Sequence, residues 1–302
     1  MAIDYSHVLL GMGKDFEVIG RGEASAKKFE TEVGKFVHQH GVTAALEKLA
    51  TPTEAIIAVG VEQLGNVAIE LIKAGVRRIL VEKPGGLSTN DVNELNNIAS
   101  EYNSEVLVAY NRRFYASTIK AKELIEKDGG ATSCIFELTE WSHIIGPSKK
   151  GPGVKESWFT ANSSHVADLA FYLCGFPKDW KSWHGGSLDW HKRSARFCGA
   201  GITELGVFFS YSADWEAPGR WSLEVLTRKN RYIFRPMEQL HVTPLGTVKV
   251  ESIDIDGELD TEYKPGLYKQ VDSFLSRNDE EFCSLEEQLE HCGAYDEMAG
   301  YN

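Results

Sequence analysis

A strand–helix–strand pattern ending at Val81 constrains this chain more than any other feature. Glu54-Ala-Ile-Ile-Ala-Val-Gly60 and Arg77-Arg-Ile-Leu-Val81 read as strands, and the stretch from Gly65 to Gly75 between them reads as a helix. A helical crossover joins strands that run parallel, so the pattern predicts an open α/β sheet. The second strand runs into Glu82-Lys83-Pro84-Gly85-Gly86. A lysine just past the C-terminal end of a parallel strand points into the crevice where such sheets bind ligands. Pro84 removes a backbone donor and fixes φ, so the chain leaves the sheet there.

The rest of the first half repeats the alternation. Phe16-Glu-Val-Ile-Gly20 and Glu105-Val-Leu-Val-Ala-Tyr110 read as strands. Residues 24–33 read as a helix, with Ala26, Phe29 and Val33 on one apolar face and Gly34 ending it. A short helix is expected at 42–49. A longer one is expected at 88–102, with Ser88 as N-cap, Asp91 three residues on, and Val92, Leu95, Ile98 and Ala99 on one face. From about Asn111 the pattern changes. A helix at 117–127 gives way, after Cys134, to β runs at 200–211, 221–227 and 231–236, and a last helix opens at Ser284 with Glu287 completing a capping box. The expectation is an α/β chain of two domains. Residues 1–115 would form a Rossmann-like parallel sheet, and residues 116–302 an α+β domain with a mostly antiparallel sheet.

Glu82-Lys83-Pro84 in this setting resembles the signature of the Gfo/Idh/MocA family of nicotinamide-dependent sugar oxidoreductases. Two further runs carry the likeness. Arg21-Gly-Glu-Ala-Ser-Ala26-Lys-Lys-Phe29, closing at Gly34, is similar to the family's second strand-to-helix turn. Ala161-Asn162-Ser163-Ser164-His165-Val166-Ala167-Asp168-Leu169 resembles its substrate-domain helix, which carries a histidine near the reacting carbon and an aspartate three residues later. The resemblance implies Lys83 and His165 as the acid/base pair, with Glu82 and Lys83 also lining the cofactor site. It places Arg21 where the 2′-phosphate of NADP would lie. An acidic residue there would bind the ribose of NAD instead, so NADP is preferred over NAD. Asn111-Arg-Arg-Phe114 is similar to the exit from the nucleotide domain, which puts Arg112 at the substrate. Asn162, Asp168 and Trp158 are the other candidates for substrate contact, Trp158 because aromatic faces suit sugar stacking. The plainer alternatives are a solvated Arg21, a surface Lys83 paired with Glu82, a capping or core His165, and a core Trp158. One departure stands out: the family's aspartate four residues before the histidine is Ala161 here.

A second departure lies at the start. Tyr5-Ser-His-Val-Leu-Leu-Gly-Met-Gly13 reads as a strand entering Gly-x-Gly, with Gly11 and Gly13 as candidates for the pyrophosphate turn. A dinucleotide fingerprint opens a crossover helix. Here only Lys14-Asp15 precede the next strand-like run, and Phe16 stands at the third glycine position. A hairpin needs two residues and a parallel crossover roughly a dozen. The expectation is therefore that the first crossover helix is missing, and with it the helix N-terminus that would hold the pyrophosphate. A second register takes Gly20-Arg-Gly22-Glu-Ala-Ser25 as the fingerprint, losing the match from Arg21 to Gly34.

Composition limits the partners. A net charge of −12 argues against nucleic acid, which requires clustered Lys and Arg. The N-terminus lacks the basic and long apolar regions of a signal peptide, and no apolar run approaches the ~20 residues that cross a bilayer. The five cysteines are scattered, with no C-x-x-C pair, so neither zinc nor a disulfide framework is indicated. A cytoplasmic protein without a metal is expected, acting on a sugar or nucleotide sugar; a homodimer or homotetramer follows from the resemblance alone. Two alternatives to hydride transfer stay open. One is a family member that only binds a ligand or partner, and the other is a cofactor-independent isomerase or lyase using Lys83 and His165.

Overall fold

The computed structural model describes residues 1–301. The chain opens on a helix, α1 (Ala2–Gly11), which corrects the strand reading of residues 5–13. Tyr5, Val8, Leu9 and Met12 recur at the helical period, and this face packs on Leu80, Leu107 and Phe114. Gly11 lies in the last turn of α1, and Gly13 follows with φ 65°. The alternation then runs as expected: β1 (Val18–Ile19), α2 (Glu23–Val33), β2 (Val37–His38), α3 (Val42–Leu46), β3 (Glu54–Ile57), α4 (Leu64–Lys73), β4 (Arg78–Glu82), α5 (Thr89–Glu101) and β5 (Glu105–Ala109). Gly34 ends α2 in the left-handed region at φ 76°, a conformation that costs glycine no Cβ clash. Ser88 and Asp91 close a reciprocal capping box on α5.

The parallel strands fall into two sheets. β3, β4 and β5 form one, joined antiparallel by β14 (Cys283–Ser284); β1 and β2 form a separate parallel pair. The Rossmann order is 3-2-1-4-5-6. β2 and β1 take the places of strands 3 and 2, and β3, β4 and β5 those of strands 4, 5 and 6. Among the described residues no strand fills the first strand's place between β1 and β3. The helix α1 precedes β1, where the sequence pattern predicts a strand and no helix. That helix ties the two sheets together: Ile3 packs on the Ala26–Phe29–Val37 cluster, and Tyr5 and Val8 on the core under β4 and β5.

The second half follows α6 (Ala116–Lys127). β6 (Ser133–Glu137), the short α7 (Ser142–Ile145) and α8 (Ser164–Cys174) lead into β7 (Pro177–Gly185), β8 (Arg196–Thr203), β9 (Phe208–Asp214), β10 (Ser222–Leu226), β11 (Asn230–Phe234), β12 (His241–Pro244) and β13 (Glu251–Ser252). They form an eight-stranded sheet, order β13-β12-β11-β10-β6-β9-β8-β7, antiparallel throughout except between β6 and β9. The run at 200–211 is two strands, turned through Gly206 at φ 76°. Val166, Leu169 and Ala170 of α8 pack with Cys134 and Phe136 on the inner face.

The chain then returns to the first sheet. After α9 (Glu258–Glu262), α10 (Leu267–Ser276) packs on α1, β14 pairs with β5, and α11 (Leu285–Ala299) packs beside α5. Segments beyond residue 116 therefore pack on the first sheet as well. Ser284 caps α11 by accepting from the Glu287 amide at 3.1 Å, but the Glu287 side chain turns to Arg113 instead of closing the box.

Candidate active site

Lys83 sits just past β4, in a cis peptide with Pro84, and Gln288 of α11 donates to the Pro84 carbonyl at 3.1 Å. The Lys83 side chain is only 8% exposed, and its Nζ donates to the carbonyl of Ala161 at 2.5 Å. Ala161 lies in the π-helical turn Phe159–Ser163 that leads into α8, four residues before His165. This one bond brings the lysine of the first sheet to the histidine of the second half. Burial pulls the Lys83 ammonium down to about 8, with Glu82 opposing and Arg112 adding to the shift.

His165 stands in the first turn of α8, edge-on to Tyr110 at 6.1 Å and tilted to Trp221 at 5.9 Å. Its Nδ1 is enclosed without a hydrogen-bond partner. Burial first, then Arg112 and Lys83, push its pKa well below the usual value, so the imidazole is neutral at pH 7. Neither serine caps α8: Ser163 Oγ donates to Glu140 at 2.8 Å and Ser164 Oγ to the Thr160 carbonyl at 2.7 Å. Glu82 is held from α1, where Tyr5 Oη donates to it at 2.8 Å, and burial raises its carboxyl.

Three residues complete the wall. Glu140 is buried and accepts from Asn162 Nδ2 and Ser163 Oγ, both at 2.8 Å, and from Arg220 at 3.3 Å. Arg112 lies 4.7 Å over Trp221 and 5.6 Å over Tyr115, and Arg220 lies 4.1 Å over the same Trp221. Asn162 therefore reaches the site tied to Glu140. Nothing local in the sequence marked Glu140. Lys264, whose charge acts on both Lys83 and His165, was equally silent.

Four candidates lie elsewhere. Asp168 is fully buried and takes both Nε (3.1 Å) and Nη2 (2.6 Å) of Arg113, whose Nη2 also reaches Glu287 at 2.6 Å. It is an internal ion-pair partner and not a substrate contact, because its acceptors are already engaged and it faces no solvent. Trp158 is enclosed in the second core, edge-on to Trp190 at 5.9 Å, so its faces are not open to a sugar. Gly11 and Gly13 lie at the carbonyl end of α1, where the helix dipole repels a pyrophosphate. Gly11 serves packing there, since a Cβ would sit 2.2 Å from Tyr263 Oη.

The opposite end of α1 carries first-turn amides without partners inside the helix. Its cations, the Met1 amine and Lys264, both pair with Asp4 of the first turn, at 3.1 and 3.8 Å, and both also act on Glu82. Arg21, at the end of β1, is exposed and donates to Gln63 at 3.2 Å. Helix amides and a cation fit a dinucleotide; the glycine cradle that usually joins them is not among the described residues.

Fold and site together define a Rossmann-type architecture, with a lysine at the end of a parallel strand bonded to the turn that leads into the histidine-bearing helix of a second, antiparallel-sheet unit. No family model and no curated protein sequence matches the chain. Solved structures share the fold along its length. The UDP-N-acetylglucosamine 3-dehydrogenase of Acidithiobacillus ferrooxidans aligns at TM-score 0.75 and 15% identity, over 99% of this chain and 93% of that one. Levoglucosan dehydrogenase, in complex with NADH and levoglucosan, aligns at 0.77 and 16%, over 99% and 94%. An oxidoreductase from Agrobacterium radiobacter, in complex with NAD+, L-tartaric acid and magnesium, aligns at 0.78 and 14%, over 100% and 94%. At these identities the likeness establishes the fold. Among the described residues no helix is long and apolar enough to cross a membrane.

Proposed function

We propose that the chain is an oxidoreductase that moves a hydride between NADP(H) or NAD(H) and a hydroxyl or keto group of a sugar or nucleotide sugar, with Lys83 and His165 as its acid/base pair. The observation that carries this is the Lys83–Ala161 bond, which sets two groups of lowered pKa at one crevice. A bound nicotinamide supplies the hydride acceptor or donor. The chain's own residues handle the proton: an uncharged Lys83 amine or the neutral His165 takes it from the hydroxyl, and the Lys83 ammonium steadies the oxygen when charge develops on it in the other direction. Residues 1–115 would supply the cofactor side and 116–302 the substrate side.

Titration of the purified protein with NADPH and NADH, followed by nicotinamide fluorescence, tests this. Saturable micromolar binding is expected, with NADPH the tighter. Arg21→Ala should then weaken NADPH by roughly tenfold or more, the worth of a charge-assisted hydrogen bond, and leave NADH unchanged. Binding of neither by a folded sample would reject hydride chemistry. A second reading is cofactor-free isomerisation or elimination at Lys83 and His165, whose lowered pKa values serve proton transfer without a hydride; turnover without added nucleotide would reveal it. The outer face of the eight-stranded sheet exposes Ile135 and Phe208. This supports a homodimer or homotetramer through that face. Light scattering should report more than one chain, and Ile135→Glu with Phe208→Glu should give the monomer.

A further inference from the structure

The two fully buried arginines are each matched by carboxylates. Arg78 meets Glu105, Asp279 and Glu54, and Arg113 meets Asp168 and Glu287. Arg112 breaks this pattern. It is wedged between the rings of Trp221 and Tyr115, its Nε is enclosed without a partner, and it makes no hydrogen bond or ion pair among the described residues. Glu140, close by, is already taken by Asn162, Ser163 and Arg220. Two more enclosed nitrogens in the same wall, His165 Nδ1 and Trp221 Nε1, also lack partners. Lys83, Lys264 and Arg220 add positive charge around His165. Glu140 and the exposed Glu238 act on the half-buried Arg112 without bonding it; a desolvated guanidinium that no carboxylate bonds is costly to keep, and unpaired polar groups in a wall of this kind mark a binding function.

We propose that the substrate carries an anionic group, a carboxylate or a phosphate, and that the Arg112 guanidinium binds it beside Lys83 and His165. The inference rests on the reading of that pair as the substrate site. A guanidinium offers a planar fork of donors that matches either oxyanion. Arg112 stacks on Trp221, against which His165 also packs, so an anion held by its guanidinium lies beside that histidine. The site then selects acidic or phosphorylated sugars over neutral ones.

Calorimetric titration of the cofactor-free protein at low salt tests this with D-glucuronate, D-glucose 6-phosphate and D-glucose. At least one anion should bind ten times or more tighter than glucose. Glucuronate alone would identify a carboxylate, and glucose 6-phosphate alone a phosphate. Arg112→Met should erase the preference of anion over glucose, and Arg112→Lys should keep part of it. A second arm needs no ligand. Arg112→Met should melt at or above the wild-type temperature, because it removes an uncompensated charge. A melting point lowered as far as that of Arg113→Met would show a structural arginine and overturn the proposal. So would anions that bind no tighter than glucose, or not at all at millimolar concentration. None of these arms uses a nicotinamide, so the redox reading can stand or fall separately.

Discussion

Lys83→Ala should lose roughly 10²–10⁴-fold in kcat, the worth of a positioned acid/base, while its far-ultraviolet spectrum and unfolding midpoint stay near wild type. Lys83 makes one hydrogen bond, to the Ala161 carbonyl, and its burial disfavours its own charge. Folding therefore gains little from it. The pH dependence has a definite sign. The folded-state value is lowered to about 8, so the base form grows as pH rises through that value. The rate of hydroxyl oxidation should climb through about pH 8 and then level off. Ketone reduction, which needs the ammonium, should fall over the same window. Lys83→Arg keeps its proton throughout and should flatten both profiles. A rising limb that survives in Lys83→Ala would assign that titration to another group and remove Lys83 from the mechanism.

Arg113→Met should destabilise the protein by about 3–5 kcal/mol, the cost of stripping one partner from a buried ion pair. Asp168 is fully buried, and Arg113 is the cation that bonds both of its oxygens. Burial already pushes the Asp168 carboxyl up to about 6 against the pull of Arg113, so without that pull it becomes an unpaired buried acid. Urea unfolding would measure the loss. A double-mutant cycle with Asp168→Asn should return part of it, because the second change removes the orphaned charge. Independent, additive losses would mean that the two groups do not act as a pair. The cluster joins the segment after β5 to α8 and α11, so its loss should also loosen the placement of His165.

The sequence was most informative where strands and helices alternate with clear punctuation. Gly34, Ser88 and Pro84 each stand at a boundary the chain observes. It misled at residues 5–13. There Val8-Leu9-Leu10 followed by Gly-x-Gly reads as a strand, but the helical period of Tyr5, Val8, Leu9 and Met12 decides the fold, because it sets one apolar face on the core. Lys83 and His165 were legible because each sits in a local motif. Their meeting was not, since it depends on a bond between residues 78 positions apart. Arg112 and Arg113 show the limit most plainly. They are adjacent and chemically identical, yet one is anchored between two carboxylates and the other has none. That difference is set by α8 and α11, which lie far along the chain.

The split in the parallel sheet has a consequence for the protein as a substance. β1 and β3 each pair on one side only, leaving a row of backbone N–H and C=O groups on the other. Val18, Ile19, Ala55 and Ile56 beside those rows are only half-buried. Unpaired strand edges of this kind template pairing with another chain. β1 and β3 are therefore two of the edges at which this molecule can take on a strand from another chain.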